Sequence, residues 1–158
     1  MRIWRIIPGE EEVKDYLLRR FIREEYIAIG WNKVGDLTNV DEKNFSDLFR
    51  KYYPGGRSEY LKNFRYNMNI GDIVFTVAKS KIDVIGKVIS NYYYVEEEPY
   101  YHRRDVKWYK KFDPPIDLSE LPDDIYRRLT SPPTVRETLI ELNMEEWKNL
   151  VSILWLIS

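Results

Sequence analysis

The apolar residues of this chain arrive in short runs separated by turn signals, and that pattern limits it to a fold of many short strands. Arg2–Ile7 mixes charged and apolar residues and stops at Pro8-Gly9. Tyr26–Trp31 (YIAIGW) is a short apolar strand ending in Gly-Trp. Ile73–Ala78 (IVFTVA) leaves the Gly71-Asp72 turn, and the polar Lys79–Asp83 leads back into Val84–Tyr94, the pattern of a hairpin. Around His102–Lys111, Val106 and Trp108 point one way while Asp105, Lys107 and Tyr109 point the other, as in a half-buried strand.

Helical spacing fills the gaps. Val13, Tyr16, Leu17 and Phe21 define a helix over Glu10–Glu24, with Glu10, Glu11 and Glu12 complementing its N-terminal dipole. Asp41 is the N-cap of a helix carrying Phe45, Leu48, Phe49 and Tyr52, and Pro54-Gly55-Gly56 stops it. Ser58 is placed to cap a second short helix with Leu61, Phe64 and Met68. Thr134-x-x-Glu137 and Asn143-x-x-Glu146 both have capping-box spacing, the second opening a helix with Trp147, Leu150, Val151 and Leu154 on one face. The expectation is a single α+β domain over residues 1–158: a curved sheet or barrel of about five or six mostly antiparallel strands with flanking helices.

Composition removes several chemistries. There is no Cys, which excludes disulfides, thiol nucleophiles and thiolate metal sites, and the single His102 cannot build a multi-histidine zinc centre. Phosphate-loop, dinucleotide and esterase-elbow motifs are absent, so no cofactor is expected. No apolar run reaches a membrane span and the charged opening lacks a signal-peptide core, so the expectation is a cytoplasmic chain without a membrane partner. The lack of Cys and Gln beside many Lys, Arg and Glu leans toward a thermophilic source.

Twenty-five basic and 26 acidic residues give a net charge of −1, but they are unevenly placed. Arg50–Lys111 holds 13 basic and 7 acidic residues, net +6, which leaves 12 basic and 19 acidic residues, net −7, for the rest. The 13 tyrosines cluster at Tyr52-Tyr53, Tyr92-Tyr93-Tyr94 and Tyr100-Tyr101, in or beside the basic stretch. Cations interleaved with aromatic rings suit single nucleotides, whose phosphates meet charge while an unstacked base meets a flat ring. The same residues also serve as a solvated face or as half-exposed strand positions.

Several segments, in order, resemble the PUA-like superfamily that includes the EVE and YTH domains. They are WRIIPGE at Trp4–Glu10, IAIGW at Ile27–Trp31 with Val34-Gly35-Asp36-Leu37, MNIGDIVFTVA at Met68–Ala78, VIGKVISNYYY at Val84–Tyr94 and HRRDVKW at His102–Trp108. The likeness spans about residues 2–140 and is closest to the EVE-like N-terminal domain of McrB-type modification-dependent restriction proteins. It implies a β-barrel whose pocket accepts one modified, flipped base, and a partner that is nucleic acid, with modified DNA favoured and RNA possible. An AAA+ NTPase and a nuclease would lie in other domains or subunits.

By the same resemblance Trp31 is one wall of an aromatic cage, and Tyr92, Tyr93, Tyr94, Tyr100 and Tyr101 supply the other, where YTH domains carry a Trp. Asn32 and Asp36 are placed to read a base edge, or simply to form a turn. Lys110 and Lys111 resemble the phosphate-contacting pair of YTH domains; Lys79, Lys81, Arg103 and Arg104 join them as phosphate candidates on charge. Trp31 reads equally as a core residue, as Trp108 does by alternation, and His102 reads as a surface or strand-end residue. Two other functions remain open: a PUA-like RNA-binding module, and an ASCH-like hydrolase of modified nucleosides using Lys79, Thr76 and Glu96. A protein–protein adaptor is a third.

Overall fold

The computed structural model describes residues 1–10, 13–130 and 137–158. Its strands are β1 (Ile3–Ile6), β2 (Tyr26–Ile29), β3 (Ile73–Ala78), β4 (Lys81–Val88), β5 (Tyr93–Tyr94), β6 (His102–Asp117) and β7 (Leu139–Leu142). The helices are α1 (Lys14–Glu24), α2 (Glu42–Tyr52), α3 (Glu59–Lys62), α4 (Asp123–Leu129) and α5 (Met144–Ile157). A 3₁₀ turn covers Asn32–Val34, and α3 runs into a π turn at Asn63–Asn67.

The strands form one curled, half-barrel sheet in the order β2-β6-β4-β3-β1-β7, with β5 beside the start of β6. All pairings are antiparallel except β1 with β3. The α+β architecture agrees with the expectation; β5, only two residues long, and β7 bring the strand count among the described residues to seven. β6 is longer than its alternation implied, because Pro114 and Pro115 continue it to Asp117. Register shifts between β4 and β6 bend the sheet there, as bulges do. At that bend a Cβ on Gly86 would lie 2.5 Å from the Lys107 carbonyl oxygen, so only glycine lets the strands approach.

β1 explains the uneven alternation of its sequence, since both of its faces are buried. Trp4 and Ile6 enter a core with Phe21, Ile27, Phe45 and Phe64 under α1 and α2. Ile3 enters a second core with Phe75, Trp147 and Leu150 under α5. Burying each such side chain contributes about 1.5–3 kcal/mol. Arg5, which alternation places among exposed charges, is fully buried. Its guanidinium donates to the carbonyls of Leu129 (3.1 Å), at the negative end of α4, and Glu137. Burial lowers its pKa to about 10. Asp72, expected simply as a turn residue, is buried and accepts from Arg2 N, Trp4 Nε1 and Asn69 N, locking β1 to the entry of β3.

The caps at Asp41 and Asn143 form as read, the second as a full capping box with Glu146. Ser58 does not cap: its backbone is already helical and its side chain makes no capping bond. Helix α1 begins at Lys14 rather than Glu10; Glu11 and Glu12, like most of the Thr134–Glu137 box, lie outside the described residues. Among the described residues, no helix is long and apolar enough to cross a membrane, and no group of three or more acidic or histidine side chains is placed to hold a metal.

Candidate functional site

The C-terminal ends of β1 and β2 are followed by Gly9-Glu10 and Gly30-Trp31, and these four residues line one side of an open hollow of about 250 Å³. Tyr53, from the end of α2, Tyr100, from the loop before β6, and Thr138, at the start of β7, complete it. Trp31 is half-buried rather than sealed in the core. Its indole leans on Phe49 and Tyr60, at centroid distances of 6.3 and 6.1 Å.

Trp31 holds a left-handed backbone at φ +68°, unusual for a bulky residue. That conformation costs about 1–2 kcal/mol and needs support. The support comes from His102, which is fully buried. Its Nε2 lies 3.1 Å from the Trp31 carbonyl oxygen and its Nδ1 2.6 Å from the Tyr92 hydroxyl, which also accepts from Leu37 N at 3.1 Å. One protonation pattern satisfies every group: neutral imidazole with the proton on Nε2, donating to Trp31, while Tyr92 donates to Nδ1. Burial lowers the His102 pKa to about 4, which keeps the ring neutral. His102 is therefore an internal strut, not the surface residue its place at a strand end suggests.

The Tyr100 wall is held by three side chains. Asn32 Nδ2 donates to Pro99 O (2.8 Å), and its Oδ1 accepts from Tyr101 N (3.0 Å). Arg103 reaches Tyr100 O and Glu97 O, and Arg20 pairs with the Glu97 carboxylate. These bonds press the Tyr100 ring onto the backbone of Gly30, where an added Cβ would sit 3.2 Å from the ring. Tyr53 is fixed through its hydroxyl, which accepts from Lys33 N at 3.1 Å, and Lys33 Nζ lies 5.9 Å from the Tyr53 ring.

The fold thus brings Trp31 and Tyr100 together, with Asn32 acting through the loop it ties. The remaining tyrosines are occupied elsewhere. Tyr92 is buried in the His102 network, Tyr93 bonds Asp105, and Tyr94 packs edge-on against Tyr101, which bonds Glu98. Asp36 is exposed and closes a turn onto Thr38 N and Oγ1. Burial and the Asp105 carboxylate push the Tyr93 hydroxyl pKa up, and burial does the same to Tyr92.

The basic candidates also divide. Arg103 and Arg104 are buried; Arg104 spends its donors on backbone carbonyls, and Arg103 on the Tyr100 and Glu97 carbonyls and an ion pair with the Glu97 carboxylate at 3.8 Å, so bulk charge misled the reading of both. Lys79 is exposed at the β3–β4 turn and paired with Asp15 at 2.6 Å. Lys81 and Lys111 are exposed; Lys110 lies over the Phe112 ring and lines a different, apolar hollow against α5. Of the hydrolase set, Thr76 has its hydroxyl buried without a partner, Lys79 is held by Asp15, and Glu96 is exposed in the loop after β5.

Gly9, Glu10, Gly30, Tyr53 and Thr138 line the hollow and are the residues that sequence reasoning missed. Tyr53 stood in a noted tyrosine pair, but nothing local distinguished it from Tyr52, which faces out. Gly30 carried a usable signal: a glycine beside a tryptophan at a strand end marks a close approach.

A family model described as "Domain of unknown function (DUF8426)" matches residues 4–134. No curated protein matches the sequence. Among solved structures, the Mmi1 YTH domain superposes with a TM-score of 0.52 at 11% identity, covering 99% of this chain and 96% of that one. Protein PSPTO5229 from Pseudomonas syringae gives 0.52 at 15% identity, covering 96% of this chain and 98% of that one. The YTH domain of the Zygosaccharomyces rouxii MRB1 protein, solved with N6-methyladenosine RNA, gives 0.50 at 11% identity, covering 96% and 85%. At these identities the likeness establishes a shared YTH-like fold.

Proposed function

The chain belongs to the family described as a domain of unknown function (DUF8426), and we propose that it is a nucleic-acid reader that takes one extruded, methylated base between Trp31, Tyr53 and Tyr100. The observation that carries this is the hollow itself: about 250 Å³, open to solvent, with three rings around it. It is smaller than the ~300–1,000 Å³ typical of drug-sized ligand sites and suits one planar heterocycle.

The polar lining narrows the base. The Glu10 carboxylate accepts hydrogen bonds and favours an edge with an exocyclic amine, which adenine and cytosine present. A singly methylated amine keeps one N–H for that carboxylate and turns its methyl toward the rings. 5-Methylcytosine also offers an amine and a methyl, so N6-methyladenine ranks ahead of it on the YTH likeness alone, of which the MRB1 domain with N6-methyladenosine RNA is an example.

Extruding a base costs a few kcal/mol, and stacking on aromatic side chains returns ~1–3 kcal/mol. Burying a methyl adds about 0.8 kcal/mol, and a fitted pocket discriminates a single methyl by about 1–3 kcal/mol. The modification thus biases binding about tenfold or more, while contacts to the sugar-phosphate chain supply the remaining affinity. Lys33, at the pocket rim, is the first cation we assign to that chain.

For the polymer, the EVE-like segments favour modified DNA, read on behalf of an NTPase and a nuclease in other domains or subunits. The RNA-bound Mmi1 and MRB1 YTH domains favour a second reading, modified RNA. In either case the role proposed is binding without turnover, since Thr76, Lys79 and Glu96 each have other surroundings. The test is a binding panel of single- and double-stranded DNA and RNA oligonucleotides, plain and methylated. The expected result is preference for one methylated base and weakening between about 50 and 200 mM salt. Equal affinity for plain and methylated strands of every kind would overturn the assignment.

A further inference from the structure

A second hollow, of about 310 Å³, shares no lining residue with the first and carries a different chemistry. Its walls include Thr38, Arg65, Asn69, Asn91, Tyr92 and Arg104. Arg104, on β6, is 3% exposed and donates only to neutral carbonyls: Phe64 O (3.1 and 2.9 Å), Arg65 O (3.0 Å) and Ser90 O (3.4 Å). Arg65 spends Nε on Leu37 O (3.0 Å) and Nη2 on Thr38 O (3.2 Å), with its plane against the Tyr66 and Tyr92 rings. Among the described residues neither arginine makes an ion pair, and Nη1 of Arg65 makes no hydrogen bond.

Two guanidinium groups therefore share one polar hollow that no carboxylate lines. Asp72 lies outside the lining and accepts only from the neutral donors Arg2 N, Trp4 Nε1 and Asn69 N, so its charge still offsets part of that on Arg104; Asp36 accepts from Thr38. Burial, reinforced by the charge of Arg65, lowers the Arg104 pKa to about 10. An anion entering the hollow would relieve that strain on both groups. Arginine forks match oxyanions of phosphorus well.

We propose that this hollow is a phosphate site, in which an oxyanion seats on the unused Nη1 donors of Arg65 above buried Arg104, with the side-chain amides of Asn69 and Asn91 at its rim. Tyr92 lines this hollow and reaches the Trp31 backbone carbonyl through His102, but no side chain lines both hollows, so phosphate binding does not require a base in the first.

Calorimetric titration at constant ionic strength tests this, with inorganic phosphate in one arm and a dithymidine dinucleotide, carrying a single internal phosphodiester, in the other. Saturable phosphate binding is expected in the wild type. Asn91→Asp, an exposed change that puts a carboxylate at the rim, and Arg65→Gln should each weaken it about tenfold or more, the loss of a charge-assisted contact. Trp31→Ala should leave it unchanged. Phosphate bound alone identifies a free or terminal phosphate as the ligand; binding of the dinucleotide as well identifies a nucleic-acid backbone. Phosphate heats no different from chloride, or affinity unmoved by Asn91→Asp in a folded protein, would overturn the proposal.

Discussion

The imidazole of His102 is hydrogen-bonded to the backbone carbonyl of Trp31, a residue 71 positions away in sequence. Through this bond the inner end of β6 fixes the left-handed turn that presents the indole to the hollow. The arrangement works because a neutral ring has one donor and one acceptor, matching the carbonyl on one side and the Tyr92 hydroxyl on the other.

A pH dependence follows. The His102 pKa is about 4 in the folded chain and about 6.5 when unfolded. Between those values the unfolded state binds more protons, so stability declines as pH falls from about 6.5 to about 4 and levels below. The difference corresponds to about 3 kcal/mol at the acid end. Urea denaturation across this range should show the decline in the wild type and a smaller one in His102→Gln, with the two curves converging toward pH 4.

Tyr92→Phe removes the hydroxyl that serves both Leu37 N and His102 Nδ1. Leaving those buried groups without it should cost about 1–3 kcal/mol of stability. Weaker selectivity for the methylated base should accompany the loss, because Trp31 loses its strut, and both are read by melting and by oligonucleotide binding.

Asn32 and Gly30 set the opposite wall. Asn32→Ala frees Pro99 O and Tyr101 N, and Gly30→Ala drives a methyl to 3.2 Å from the Tyr100 ring. Each should lower base affinity about tenfold with a smaller effect on melting temperature, since both act on Tyr100 and its loop at the edge of the first core and not inside it.

Arg103 and Lys33 should separate structure from contact. Arg103→Gln is expected to destabilise the 97–100 loop and leave the salt dependence of binding unchanged, because its donors face Tyr100 O and Glu97 O. Lys33→Ala should leave stability unchanged and reduce the slope of log affinity against log salt by about 1.

Local patterns made much of the fold legible. Turn residues and apolar runs placed β1 to β3 and the hairpin into β4, and the Asp41 and Asn143 caps placed α2 and α5, because those signals act over a few neighbouring residues. β4 itself starts earlier, at Lys81 within the stretch read as a connection, and ends at Val88, leaving Tyr93–Tyr94 to β5. The site was legible only where a residue and its role are adjacent in sequence, as with Trp31 after its strand. His102, Arg103 and Arg104 show the opposite case. Their types suggest surface charge, and only the pairing of β2 with β6, which sets Ala28 opposite Arg103 and Ile29 opposite His102, turns them inward. Tyr53 and Glu10 reach the hollow from the ends of α2 and β1, a meeting fixed by the curl of the sheet.

The central claim is that a single base lodges against the indole of Trp31. The most direct measurement is the affinity ratio between otherwise identical single-stranded oligonucleotides carrying N6-methyladenine or adenine, in the wild type and in Trp31→Ala, with folding checked by circular dichroism. A wild-type ratio of about ten or more that collapses toward one in a folded Trp31→Ala is the predicted result. A ratio that survives the loss of the indole would contradict it.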